Sequence, residues 1–203
     1  IPNTFRRLFS EGTFNAAFVP SYSSELLKGK AKSNKFASEV FNLLFLIWLI
    51  LILLVQRFMP AFVSLIAPGF LEDNEKMQLA INLTRITFPF LLLISLASFF
   101  AGILNSYNRF AEAAAAPIIL NIILIIVLLF SKLLNDNLVY YLSYAVTLAG
   151  LLQFIFLYFF VRKFFKIKFD LSFEISKKVK VFFKKLLPSI FSSGVTQINI
   201  LVG

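Results

Sequence analysis

The chain has 203 residues, of which 59% are hydrophobic, with a mean hydropathy of +0.85 and a formal net charge of +10. A soluble domain of this composition would carry far more apolar surface than its core could bury, so an ordinary soluble fold is excluded. Cysteine and histidine are absent from the sequence, which excludes disulfides, thiol nucleophiles, Cys/His zinc sites and imidazole proton relays.

The N-terminal segment, residues 1–27, is predicted to be partly helical. Its apolar residues fall at mixed three- and four-residue spacings, although Gly12 and Pro20 interrupt the pattern. On a helix Arg7 and Glu11 are four residues apart and can pair, while Arg6 lies on a neighbouring face. The residues alone leave two roles open for these arginines: binding phosphate inside a cavity, or extending to the membrane interface.

Four long uncharged apolar stretches follow, at Val40–Val55, Ile86–Leu104, Ala113–Phe130 and Leu138–Val161. Each is close to or above the roughly 18–20 residues that cross about 30 Å of hydrocarbon. The pattern predicts spanning helices at residues 37–66, 83–105, 111–131 and 138–162, with a last helix at 178–203. We therefore predict an all-α fold, a polytopic transmembrane helix bundle that forms one domain over residues 1–203.

The charged segments between these helices differ in their balance of charge. The predicted loops at residues 25–39 and 162–185 are strongly basic, whereas the loops between them are neutral or acidic. Because Lys and Arg are enriched on the cytoplasmic side, both basic loops are predicted to be cytoplasmic, with an even number of crossings between them. We interpret the cations as topology signals and as contacts for anionic membrane lipids, not for nucleic acid.

No carboxylate lies in the middle of the four apolar stretches. A membrane-embedded enzyme that works with two carboxylates therefore lacks its chemical groups, and we predict no catalytic residue, no metal site and no cofactor. Small residues one helical turn apart instead predict close contacts between helices. These pairs are Ala97 and Ala101, Ser98 and Gly102, and Ala145 and Ala149.

The last predicted helix is unusually polar for a membrane span. Pro188 lies near its start, and Gly194, Gln197 and Asn199 follow. Proline bends a helix when it lies beyond the first turn, and polar groups in a span indicate a face on water or other helices. We predict a bent, movable helix with a hinge at Pro188 and Gly194.

Several motifs occur in a recognisable order along nearly the whole chain. They are FRRLFSEGTFNAAFVP, Ala67-Pro-Gly-Phe70, Ile86-Thr-Phe-Pro-Phe90 running into LLLISLASFFAGILNSYNRF, Ala116-Pro-x-x-Leu-Asn121, and Leu186-Leu-Pro-Ser followed by Gln197-Ile-Asn199. Together they resemble the lipid II flippase family MurJ, also called MviN, of the multidrug/oligosaccharidyl-lipid/polysaccharide exporter superfamily. Because the chain starts at Ile1 and stops inside an apolar run, we expect an internal piece of a longer protein.

The resemblance implies a fourteen-helix flippase in two lobes around a central cavity, of which this chain would be an N-lobe fragment. The motif assigns substrate binding to Asn3, Arg6 and Arg7, with Arg6 as the essential arginine, and a gate or portal role to Glu11. Some members of the family bind a sodium ion through an acid that this sequence lacks near its end, so coupling to an ion is not expected from these residues.

The function implied by the resemblance is alternating-access transport of lipid II from the cytoplasmic to the periplasmic leaflet of the bacterial inner membrane. The substrate would be the undecaprenyl-pyrophosphate-linked disaccharide-peptide precursor of peptidoglycan, and contact with the cell-wall synthesis machinery stays open. Two alternatives remain: a related exporter of drugs or of another lipid-linked oligosaccharide, and a membrane scaffold that transports nothing. The adjacent arginines and the lack of mid-membrane acids favour an anionic substrate over a cationic drug.

Overall fold

The computed structural model describes residues 13–130, 137–168 and 175–184, together with Leu186 and Pro188. The regular structure in these ranges is helical throughout. The helices are α1 (Thr13–Leu27), α2 (Lys30–Arg57), α3 (Met59–Ile66), α4 (Asn74–Thr87), α5 (Phe90–Ser106), α6 (Phe110–Leu129), α7 (Leu138–Val161) and α8 (residues 177–184), with a 3₁₀ turn at Pro68–Phe70. Four of the helical segments are long and apolar enough to span a membrane: Lys30–Arg57, Asn74–Ser106, Phe110–Leu129 and Leu138–Val161. The prediction of an all-α bundle with four such spans is confirmed.

Helix boundaries near glycine and proline differ from those expected. Gly29 adopts a positive φ of 111° between α1 and α2, and α2 begins directly after it, so Lys30, Lys32 and Lys35 lie on a helix instead of in a loop. The expected helix at 37–66 is interrupted at Phe58, because Pro60 has no N–H to continue the hydrogen bonding of α2. Pro20, in contrast, lies inside α1 on its exposed side without ending the helix.

Helix α5 forms the centre of the bundle and packs against α1, α2, α6 and α7. Its buried residues extend from Phe90 to Leu104, and Phe99, Phe100, Ile103 and Leu104 have no exposed surface. The small-residue pairs predicted from the sequence on α5 and α7 are buried, as expected for positions where helix backbones approach closely.

Large aromatic side chains fill the space between α1, α2 and α5. On α1 the buried residues Phe14, Phe18 and Tyr22 recur at every fourth position, which places them on one face of the helix. Phe18 contacts Phe99 of α5 with ring centroids 5.0 Å apart, and Phe36 of α2 at 6.1 Å. This aromatic cluster fixes the position of α1 relative to the centre of the bundle.

The break between α4 and α5 is stabilised by side chains from other helices. Pro89 cannot donate a hydrogen bond to the carbonyl oxygen of Arg85, and Gln56 Nε2 on α2 donates to that oxygen at 2.9 Å. Thr147 Oγ1 on α7 donates to the next carbonyl oxygen, that of Ile86, at 2.6 Å. Unpaired backbone groups are costly in hydrocarbon, so these two side chains make the break compatible with a span.

Contacts between chain segments define two ends of the bundle. Asn42, in the fourth turn of α2, donates to the carbonyl oxygen of Lys168 after α7, and Tyr107 in the α5–α6 turn stacks on Phe164 at 4.2 Å. We call this the basic end, because it carries Lys28, Lys30, Lys32, Lys35, Arg162, Lys163, Lys166, Lys168, Lys177, Lys178, Lys180 and Lys184. At the opposite end Asp73 caps α4 by accepting from the backbone N–H groups of Glu75 and Lys76.

Candidate substrate-binding region

The substrate and gate residues predicted from the sequence lie outside the described part of the chain. Asn3, Arg6, Arg7 and Glu11 precede the first described residue, and Gly194 follows the last one. Pro188 is described and is an exposed helical residue shortly after α8. The roles proposed for these residues therefore stay predictions.

A cavity of about 380 Å³ lies between α1, α5, α6 and α7. Its polar lining consists of Asn15, Ser98, Asn105 and Gln153, and alanines of α5 and α6 form much of the remainder. The lining residues come from the last turns of α5, the first turns of α6 and the later part of α7. Because those three helix ends lie at the basic end, the cavity lies in the half of the bundle nearer the basic end.

Two polar side-chain atoms at this cavity are buried without a hydrogen-bond partner. Gln153 is 1% exposed and its Nε2 donor is unpaired, and Asn15 has an unpaired Oδ1 acceptor. Pro117 also lies in the lining, and it cannot donate a hydrogen bond to the carbonyl oxygen of Ala113 in the preceding turn of α6. Buried polar groups without partners are costly, so the polar part of this lining suits water or a hydrogen-bonding ligand.

Close packing of α1 on α5 positions Asn15 at the cavity. A Cβ atom built on Gly102 would lie 2.6 Å from Asn15 Oδ1 and 2.7 Å from Cδ1 of Phe18, which is fully buried. Only glycine therefore allows this approach of the two helices, which the sequence indicated through the Ser98 and Gly102 pair.

The cavity lining is electrically neutral in the part of the chain that the structure describes. None of its lining residues is charged, and the described residues hold no group of three Asp, Glu, His or Cys side chains that could bind a metal ion. Arg109, which lies nearby in the α5–α6 turn, is paired with Glu112, whose side chain is 16% exposed. Amide and hydroxyl groups of this kind can bind neutral polar groups such as sugars and peptides.

The amides of Asn15, Asn105 and Gln153 are functional candidates that the sequence analysis missed. A signal for Gln153 was available, because it is an isolated amide within the uncharged stretch Leu138–Val161. Polar residues inside a span commonly mark a pathway or a helix contact.

The model of the lipid II flippase MurJ family matches residues 1–203, which is the whole chain. The chain belongs to this family. The resemblance stated from the motifs is thereby confirmed, and with the apolar helices it makes the chain part of a multi-pass membrane protein. The description of that family is lipid II flippase.

Curated relatives agree with this assignment. The chain is 44% identical over 122 residues to a probable lipid II flippase MurJ of Rickettsia prowazekii, an alignment that covers 60% of this chain and 24% of that protein. It is 45% identical over 123 residues to the probable flippase of Rhizobium tropici, with 60% and 23% of the two chains covered. A lipid II flippase MurJ of Burkholderia cenocepacia is 35% identical over 124 residues, covering 60% and 24%.

A solved structure shares the fold. It is a lipid II flippase MurJ in an inward closed conformation, with a TM-score of 0.82 and 30% identity, and the match covers 99% of this chain and 41% of that one. The chain therefore spans well under half the length of the flippase structure, and its alignments cover about a quarter of the curated relatives.

Proposed function

We propose that the protein transports lipid II from the cytoplasmic to the periplasmic leaflet by alternating access. The observation that carries this proposal is the match of the family model to every residue of the chain. The fold similarity to a flippase structure supports it, because alternating-access transport depends on a lobe of this architecture.

The physical problem for such a transporter is the pyrophosphate of its substrate. Even one unpaired charge in hydrocarbon costs several kcal/mol. In this proposal Arg6 and Arg7 pair the pyrophosphate through their guanidinium groups, and Asn3 adds a hydrogen bond. The neutral amides of the cavity between α1, α5, α6 and α7 are suited to the sugar and peptide part of the head group.

The proposed orientation places the basic end in the cytoplasm and the protein in the bacterial inner membrane. Among the described residues, Arg109 and the twelve lysines and arginines named above lie at this end. Cytoplasmic segments are enriched in these residues, and anionic head groups attract them. The cavity would then lie closer to the leaflet from which the substrate enters.

The moving parts of the proposed cycle lie at the two ends of the sequence. Glu11 would act at a gate or portal, and the helix that begins near Pro188 would change its bend at Pro188 and Gly194 as the lobes rock. These assignments rest on the motif and on the exposure of Pro188.

The proposal is tested by the change Arg6→Ala in the full-length protein. Translocation of fluorescent lipid II in proteoliposomes should fall by at least about tenfold, the effect of losing roughly 1.4 kcal/mol of interaction with the charged substrate. Arg57→Ala is the matched control, because Arg57 is an exposed arginine at the opposite end, over the ring of Phe58. It should leave transport unchanged.

Equal transport by wild type and Arg6→Ala would remove Arg6 from the substrate site. Transport of a cationic dye without transport of lipid II would instead support the related drug exporter. Translocation that persists when all cavity arginines of the full-length protein are neutralised would overturn the ion-pairing mechanism.

A further inference from the structure

Two carboxylates, one in the last turn of α1 and one in the third turn of α2, contact the segment that contains α8, which lies far along the chain. Glu25, in the last turn of α1, is 6% exposed and accepts a hydrogen bond from Lys178 Nζ at 2.6 Å. Glu39 Oε2 on α2 accepts from the backbone N–H of Ser176 at 3.0 Å, immediately before α8. Two helices of the bundle thus contact the same short segment.

An apolar contact lies beside these polar ones. Val179, Phe182 and Leu186 are buried, and their spacing of three and four residues places them on one face of the segment. The ring of Phe182 meets those of Phe14 and Phe36 edge-on, at 6.0 Å and 5.9 Å. The segment is therefore packed against the aromatic cluster of α1 and α2 as well as held by the carboxylates.

The buried carboxylate of Glu25 depends on cationic partners from two places. Lys28, three residues away, binds Oε1 at 2.8 Å, and Lys178 binds Oε2. The side chains of both lysines are about half exposed, so the carboxylate lies near the surface and is covered by its own partners. Lys28 is a local partner whether or not α8 is present, whereas Lys178 completes the pairing only when α8 is docked.

The charge state of Glu25 agrees with this geometry. Glu25 lies beyond the four candidate spans, and the hydrogen bonds from Lys178 and then Lys28 lower the pKa of its carboxyl group below the ordinary value. The carboxylate therefore remains ionised at neutral pH.

We infer that Glu25 and Glu39 form an anionic latch, an intramolecular interaction surface whose partner is the segment 175–184 together with Leu186. The latch ties the chain that leads to Pro188 to α1, the helix that follows Asn3, Arg6 and Arg7 in sequence. Given the proposed transport cycle, a change of angle at Pro188 is transmitted to α1 through this contact.

The experiment measures docking and transport separately in the full-length protein, in a background without other cysteines. Val179→Cys supplies a probe, because Val179 is fully buried when α8 is docked. Labelling of this cysteine by a maleimide in membranes should be slow in the parent protein and several-fold faster with Glu25→Lys. Lipid II translocation should fall in the same variant.

The charge swap Glu25→Lys with Lys178→Glu should restore slow labelling and transport. The matched control Lys180→Glu alters an exposed charge on the same helix and should change neither readout. Glu25→Gln, which is nearly isosteric, should show the same direction of change with a smaller amplitude if Glu25→Lys fails to fold.

Unchanged labelling in both Glu25 variants would overturn the latch. Faster labelling with normal transport would overturn the transmission to α1. A parent protein that moves no lipid II would instead refute the proposed function, and its labelling would still report whether the latch exists.

Discussion

Helices α5 and α6 both belong to apolar segments that are candidate membrane spans, but α5 is mostly buried and α6 is mostly exposed. In the span that ends with α5, 67% of the most apolar part is buried, compared with 6% in α6. Helix α5 carries glycine, alanine and serine among its aromatic residues, whereas the later part of α6 is a run of isoleucine, leucine and valine. Both helices are thus apolar enough for a membrane span, and the small residues along α5 allow other helices to pack closely around it.

The largest expected difference comes from replacing one isoleucine by alanine on each of the two helices. Ile103 of α5 has no exposed surface, whereas Ile122 of α6 is 51% exposed. Ile103→Ala should lower the free energy of unfolding by about 2–5 kcal/mol, because it leaves a cavity in the packed centre. Ile122→Ala should change it by less than about 0.5 kcal/mol. Denaturation of the purified full-length protein in one detergent measures both.

Equal losses for the two isoleucine variants would break the comparison. They would mean that the exposed face of α6 is covered in the full-length protein by segments outside this chain, and not by lipid.

A second test concerns Gly102, which allows α1 to pack closely against α5. Gly102→Leu should destabilise the protein by about 1–3 kcal/mol or more, because its side chain would occupy the space of Asn15 and the buried Phe18 ring. Gly69→Leu is the control, since no atom lies within 4 Å of a Cβ built there. A lower melting temperature for the Gly102 variant alone is expected, and equal melting temperatures would show that α1 can move away from α5 without cost.

The smallest expected effect concerns the hydrogen bond that supports the start of α5. Thr147→Val removes the donor to the carbonyl oxygen of Ile86 while keeping the shape of the side chain. The loss should be about 0.6 kcal/mol and at most about 1.7 kcal/mol, as for other hydrogen bonds between membrane helices.

Thr87→Val serves as its control, because the hydroxyl of Thr87 bonds only to carbonyl oxygens of its own helix, those of Leu83 and Thr84. The two threonine variants should differ in thermal stability. If Thr87→Val is the more damaging of the two, the bond from α7 does not support the break at Pro89.

The sequence was sufficient to predict the four spans because length and apolarity are properties of each segment alone. It was not sufficient to predict the exact ends of α2. Those ends depend on backbone events at single residues, the positive φ of Gly29 and the missing N–H of Pro60.

The site was harder to predict than the fold. The motif residues Asn3, Arg6, Arg7 and Glu11 lie outside the described residues, so their roles stay predictions. Asn15 and Gln153 are 138 positions apart in the sequence, and nothing in either local pattern shows that α5 brings both to one cavity. Contacts of this range depend on the packing of the whole lobe.

The long sequence separation within the latch has a consequence for biosynthesis. Lys178 follows Glu25 by 153 residues. At a synthesis rate of about 5–20 residues per second, roughly 8–30 s pass between the appearance of the carboxylate and that of its distant partner. Lys28 is made only three residues after Glu25 and can shield the nascent charge during that interval. The two lysines would thus act in succession, the first while the α1–α2 hairpin is inserted and the second when the lobe is complete.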